Sequence, residues 1–255
     1  FSLYTLAPAA PILTEFIAGG SDAPVAGDGS TPDWIEIHNP DGSPVNLAGY
    51  ALTDDEEVLQ KWTFPEVTLE AGGYVIVFAS GDEATGDELH ANFQLDGGGE
   101  YLALVDPASA ILTEFNPYPE QRGGASYGSI GEELQFFQEP TPGAENGSGV
   151  DGFVADTKFN VNRGYYDESF ELEITTATEG ANITYSLDGS DPAKASIFSP
   201  AQKYEGPITI STTTVVRAVA KKSGWQSTNT DTNTYIFHDD VVNQPDEPEG
   251  FPSKW

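Results

Sequence analysis

The chain never runs far without a turn. Its apolar residues come in short pieces separated by Gly, Pro, Asp and Asn, with 27 glycines and 18 prolines supplying most of the punctuation. DWIEIHNP, Asp33 to Pro40, shows the unit: Ile35 and Ile37 alternate with Trp34, Glu36 and His38. The run stops at Asn39-Pro40, because proline has no N–H with which to continue a ladder. No long segment carries a 3.6-residue apolar period. Short alternating runs with turn signals at a spacing of roughly 8–12 residues predict an all-β chain of sandwiches. Trp34, the largest side chain of this unit, is the expected anchor on which two sheets of a first domain close.

The same pattern repeats from Pro11 to about Asn146. ILTEFIA (Ile12 to Ala18) leads into a Gly/Ser/Asp-rich loop, Gly19 to Pro32. Further strands are expected in VNLAGYALTD (Val45 to Asp54), KWTFP (Lys61 to Pro65), GYVIVFAS (Gly73 to Ser80), LHANFQL (Leu89 to Leu95), EYLALVD (Glu100 to Asp106) and a second ILTEF (Ile111 to Phe115). GSGVDG, Gly147 to Gly152, reads as a hinge whose glycines leave the backbone unrestrained. A second set of about seven strands follows, including FELEITT (Phe170 to Thr176), NITYSL (Asn182 to Leu187), PITI (Pro207 to Ile210), TTVVRAVAKK (Thr213 to Lys222) and NTYIF (Asn233 to Phe237).

Charge narrows the function. Forty-one acidic against ten basic residues give a net charge of −31, which argues against phosphate-backbone binding and against a basic membrane-surface patch. No apolar run approaches the roughly 20 residues of a spanning helix, so neither nucleic acid nor membrane insertion is expected. An acidic excess of this size suits a cation-rich extracellular setting. There is no cysteine and therefore no disulfide, and no methionine, so Phe1 reads as a processed end.

Candidate chemistry is sparse. His38, His90 and His238 show no metal-ligand spacing, and no nucleophile elbow, Walker or dinucleotide motif is present. GGGE at Gly97 to Glu100 reads as a hairpin turn, since no helix follows it. No cofactor is expected, apart from calcium, the cation that Asp-rich turns suit. The foremost candidate is Asp188 and Asp191 in DGSDP, with Asp54 to Glu57 and Asp239-Asp240 behind. The competing reading is that Asp188 and Asp191 bind their own backbone amides. For a sugar, the candidate stacking rings are Trp225, Tyr165 and Tyr166, together with Tyr118, all in loop-like sequence. Packing at a domain end competes with that role.

The ordered set ILTEF, DWIEIHN, VNLAGYALTDD, KWTFP, GGYVIVFASG, HANFQL, GEYLALVD and PTPGAEN resembles a bacterial lamin tail domain over residues 11–147. That resemblance implies an immunoglobulin-like sandwich, with Trp34, Leu52, Trp62, Phe64, Phe78, Phe93 and Leu95 as structural positions. RGYYDESFELEI, ITYSLDGSDP, YEGPITISTTTVVRAVAKKSGWQS and TYIF resemble the fibronectin-III-like domain at the C-terminal end of chitobiases and β-hexosaminidases, over residues 154–237. Such domains are accessories, which implies no enzymatic activity here. Residues 1–10 form an N-terminal segment and 148–153 a linker. Residues 238–255 resemble the connector that, in large secreted proteins of aquatic bacteria, leads toward further domains, sometimes a kinase-like one of the CotH type. The sequence thus reads as a piece of a longer product.

Two functions are expected from this organisation. The first is an extracellular structural or adhesive module that assembles with copies of itself by strand addition through Phe1 to Ala10 and Pro245 to Trp255. The alternative is an accessory module binding glycans or other surface polymers.

Overall fold

A computed structural model describes residues 10–20, 24–81, 87–194 and 201–243. The chain divides into two compact units between Val150 and Asp151, and each is built of β-strands. The terminal segments expected to drive assembly lie outside the described residues, apart from Ala10.

In the first unit the strands are β1 (Ile12–Ile17), β2 (Asp33–His38), β3 (Val45–Asn46), β4 (Ala51–Thr53), β5 (Trp62–Thr63), β6 (Thr68–Leu69), β7 (Tyr74–Ala79), β8 (Leu102–Val105), β9 (Ile111–Phe115), β10 (Ser126–Ile130) and β11 (Glu133–Phe137). They form a five-stranded sheet in the order β11-β10-β1-β2-β7 and a four-stranded sheet in the order β5-β4-β8-β9. The hairpin β10–β11, turning at Gly131 (φ +61°), supplies two strands that the sequence reading leaves out. LHANFQL, in contrast, is not a strand. Ala91, Phe93 and Leu95 alternate inward, but the backbone touches the sheet only where Leu89 and Ala91 bond to Phe78.

One irregularity organises this unit. Leu13 and Phe16 are both buried, yet residues three apart in a regular strand point to opposite faces. A β-bulge resolves the conflict. Leu13 pairs with Ile37, Thr14 is the extra residue, Glu15 pairs with Glu36, and Phe16 pairs with Ile35. Leu13 and Phe16 thereby share the inner face, where the Phe16 ring lies 5.3 Å from Phe115 of the other sheet and 4.6 Å from Tyr118. Glu15 is turned to the outer face beside Glu36.

The same register corrects the role expected of Trp34. It pairs with Ile17, one step from the inward Phe16–Ile35 pair, so it faces away from the second sheet. Trp34 is fully buried, but in a satellite cluster with Ile17, Ala26 and Phe78. Loop residue Ala26 closes over it. The anchor between the sheets is instead the ring group of Phe16, Phe115, Tyr118 and Tyr127. Tyr118 is therefore no exposed platform; it is 2% exposed, and its hydroxyl donates to Asp96 O (3.0 Å) and Glu100 Oε1 (2.9 Å).

The second unit contains β12 (Lys158–Phe159), β13 (Gly164–Tyr166), β14 (Phe170–Leu172), β15 (Ile174–Thr175), β16 (Asn182–Ser186), β17 (Gln202–Lys203), β18 (Ile208–Ile210), β19 (Thr214–Lys221) and β20 (Asp231–Phe237), followed by a short helix α1 (His238–Val242). Its main sheet runs β13-β20-β19-β16-β17, with β13 parallel to β20. The pairs β14–β18 and β12–β15 complete the unit. Leu172, Ile174, Ile210, Val216, Ala218 and Tyr235 lie at its centre.

The glycine-rich stretch read as a hinge is not unrestrained. In the first unit Val150 exchanges both backbone bonds with Phe136. In the second, Asp151 N donates to Gly224 O, Gln226 N to Gly152 O, and Val154 N to Gln226 O. Gly152 serves packing: a Cβ there would stand 2.9 Å from the Trp225 ring.

The bulge makes a prediction at Gly128, which pairs with Glu15. A Cβ there would fall 2.0 Å from Thr14 O and 2.8 Å from Glu15 Cα, both backbone atoms. Gly128→Ala should lower the stability of the first unit by roughly 1–3 kcal/mol. Gly42→Ala, where nothing lies within 4 Å, should change it little. Denaturant unfolding of the two variants checks both.

Candidate functional site

The outer face of the five-stranded sheet holds two fully buried carboxylates of the first unit. Glu15 and Glu36 are both 0% exposed. Each takes its hydrogen bonds partly from strand hydroxyls and partly from the segment Pro140–Asn146. Glu15 accepts from Ser126 Oγ, from Thr141 Oγ1 (3.0 Å) and from Thr141 N (3.1 Å to each oxygen). Glu36 accepts from Thr14 Oγ1 at Oε1 (2.7 Å) and from Gly143 N at Oε2 (2.6 Å). Asn146 completes the attachment, its amide donating to Thr14 O and Ser129 O at 2.9 Å each. The two carboxylates thus clasp a loop that would otherwise carry unpaired amides over the sheet.

Burial pushes the Glu36 carboxyl up to about 7, against the pull of its bonds from Thr14 and Gly143, and the charge of Glu15 adds to the rise. Glu15 is raised for the same first reason, opposed by Ser126 and Thr141. Beside the clasp lies a cleft of about 450 Å³ whose walls include Ile12, His38, Tyr74, Ile130, Glu145 and Asn146. His38 and Tyr74 pair across β2 and β7 and stack with ring centroids 4.2 Å apart. His38 Nδ1 lies 3.1 Å from Gly73 O, a carbonyl that can only accept, so Nδ1 is the donor of that bond.

A related device holds the loop over Trp34. Both oxygens of Glu88 accept from Gly27 N (3.0 and 2.8 Å). His90 Nε2 stands 3.7 Å from Glu88 Oε2, and His90 Nδ1 is 2.9 Å from Ser80 Oγ.

In the second unit the five predicted residues do not converge. Asp188 Oδ1 accepts from Ser190 N (2.9 Å) and Ser190 Oγ (2.5 Å), whereas Asp191 Oδ1 accepts from Ala193 N and Thr230 Oγ1 at 3.0 Å each. Those bonds hold both carboxyls below their ordinary range. The geometry is that of turns binding their own backbone. The other acidic turns are similarly engaged: Asp54 pairs with Lys61 (2.5 Å), Asp55 Oδ1 accepts from Glu57 N, and Asp240 Oδ2 accepts from Thr213 N. Among the described residues no group of three or more His, Cys, Asp or Glu side chains is arranged to hold a metal ion.

The aromatic candidates separate by environment. Tyr166 packs on Phe170, Tyr235 and Phe237. Trp225 packs against the second core, with Lys222 Nζ 3.9 Å from its ring centroid. Tyr165, which precedes Tyr166 on β13 and points the other way, is 70% exposed and stacks on His238 at 5.5 Å, while His238 Nδ1 lies 2.6 Å from Asp167 Oδ1.

Residues 7–118 match the family model described as Lamin Tail Domain, and residues 161–232 that described as Chitobiase/beta-hexosaminidase C-terminal domain. The chain carries a lamin tail module followed by a chitobiase/β-hexosaminidase C-terminal module. No curated protein matches it. Within the lamin tail module, Glu15 and Glu36 lie inside the matched span, while the donors Ser126, Thr141 and Gly143 lie beyond it. The sequence reading missed this clasp. The signal available for it was the three-residue spacing of Leu13 and Phe16, which a flat strand cannot bury on one face.

Trp225→Ala should destabilise the chitobiase-type module by about 3–5 kcal/mol if the indole acts as packing. A variant that unfolds at the same denaturant concentration as the parent would make Trp225 a surface group.

Proposed function

We propose that the chain is a non-catalytic attachment segment of a secreted or surface-bound bacterial protein, its two sandwiches acting as folded scaffolds that contact surface polymers. The observation that carries this reading is the succession of two β-sandwich modules of accessory type. Consistent with it, the buried carboxylates of the lamin tail module are engaged in closing their own loops. No helix among the described residues is long and apolar enough to cross a membrane.

Contact through side chains is favoured over strand addition. Exposed edges accept a backbone partner only where they are long and unpaired. Of the edges of the five-stranded sheet, β7 is bridged by Leu89 and Ala91, and β11 by Val150; in the four-stranded sheet the edges are β5, of two residues, and β9, of five. In the chitobiase-type module β13 has three residues and β17 two.

A glycan is the favoured polymer, because the exposed Tyr165 ring, braced by His238 and Asp167, presents a flat apolar face with polar groups at its margin. Affinity electrophoresis of the full chain through gels containing soluble polysaccharides tests this. Retardation by at least one polysaccharide that is lost in Tyr165→Ala, with the protein still monomeric by light scattering, is the expected result. Absence of retardation together with a multimeric mass would replace the reading with self-association. Glycoside turnover abolished by a single substitution would overturn the non-catalytic assignment.

A further inference from the structure

We propose that the lamin tail module contains a proton-operated latch: Glu15 and Glu36 hold the segment Pro140–Asn146 against the sheet while at least one proton resides on the pair, and loss of that proton releases the segment and opens the cleft it walls.

The geometry sets up the conflict. The two side chains face each other across β1 and β2, fully buried, at a separation where cross-strand side chains interact strongly. Their hydrogen-bond partners are hydroxyls and amides. The titratable groups facing them are Tyr74 from β7, which feels the charges of Glu36 and Glu145, His38 two positions along β2, and Glu145 from the segment itself. None of these is a lysine or arginine, so among the described residues no fixed cation offsets a doubly ionised pair.

A single proton has a natural place. Gly143 N–H can only donate, so Glu36 Oε2 must remain an acceptor. Thr14 Oγ1 can reverse its role and accept from a protonated Oε1. The singly protonated pair therefore keeps both backbone bonds to the segment. When the proton leaves, two buried like charges remain, and hydration of either requires Thr141 and Gly143 to move away. Asn146 is bonded to Thr14 O and Ser129 O through a group that does not titrate, so it stays as the pivot. Because Glu145, next to that pivot, walls the cleft opposite His38 and Tyr74, displacement of the segment about Asn146 widens that space.

The sign follows from linkage. Glu36 is raised above its ordinary 4.5, so its contribution to the closed state is complete below that value and is lost as pH rises through about 7. Glu15, raised as well, acts in the same direction.

The experiment is amide hydrogen exchange of the full chain at pH 5.5 and 8.0, corrected for intrinsic rates, read at Thr141 and Gly143 and referenced to Ala103 in β8. Protection at Thr141 and Gly143 should fall by at least about tenfold between the two conditions, the change that one unit of proton linkage produces, while Ala103 is unchanged. In Glu36→Gln, which keeps an acceptor for Gly143 but cannot ionise, protection at both amides should be independent of pH. Wild-type protection that is equal at the two pH values overturns the proposal whether or not the variant folds. So does a pH-dependent loss that persists unchanged in Glu36→Gln.

Discussion

Two glutamates buried opposite one another set the terms for the lamin tail module. Removing a carboxylate from water costs several kcal/mol unless donors replace the lost hydration. Apart from Thr14 of β1, the donors come from β10 and from the segment after β11, far along the chain from β1 and β2. The sandwich therefore cannot reach its lowest free energy with the matched strands β1 to β9 alone. It needs the β10–β11 hairpin and the loop that follows, although both lie beyond residue 118, where the family match ends. The bulge at Thr14 is the device that makes this possible, since it places Leu13 and Phe16 in the core and delivers Glu15 to the other face.

The chitobiase-type module is organised differently. Its turn carboxylates Asp188 and Asp191 bind amides two residues away. The long-range carboxylate contacts of Asp191 with Thr230 and of Glu171 with Thr209 are single bonds to hydroxyls, partly buried in the first case and at the surface in the second. Its cohesion comes from apolar side chains of β16, β19 and β20 and from aromatic stacking among Tyr166, Phe170, Tyr235 and Phe237. One module is thus locked by long-range polar contacts to a late segment, and the other by a continuous apolar core.

Much of the fold was legible because alternation and turn residues are local signals. Both modules, their order and most strands follow from them. What was not legible depended on pairing. The pentapeptide ILTEF occurs twice, and its glutamate is fully buried as Glu15 but exposed as Glu114. The letters are identical; the bulge falls at Thr14 in the first copy and at Leu112 in the second, and β1 is an inner strand whereas β9 is an edge. Trp34 was correctly expected to be buried and wrongly expected to lie between the sheets, since alternation fixes that Trp34 and Ile35 part company but not which of them faces inward. LHANFQL carries a strand pattern because every second side chain is covered, yet its backbone finds a ladder partner at one residue only. In GSGVDG, Gly149 and Gly152 are required by close neighbours, Gln135 and Trp225, rather than by freedom. The candidate residues Asp188, Asp191, Trp225, Tyr165 and Tyr166 were chosen by residue type in turn-like sequence, and type alone does not distinguish a ring on the core, as in Tyr166, from one in solvent, as in Tyr165.

Glu36 is the carboxyl on which the clasp turns, raised to about 7 by burial first and by the charge of Glu15. The most direct measurement is the pH titration of its side-chain ¹³Cδ resonance by nuclear magnetic resonance in the intact chain. A midpoint near 7 is expected. A midpoint at the ordinary glutamate value of 4.5 would mean that the pair is hydrated and that no buried clasp exists.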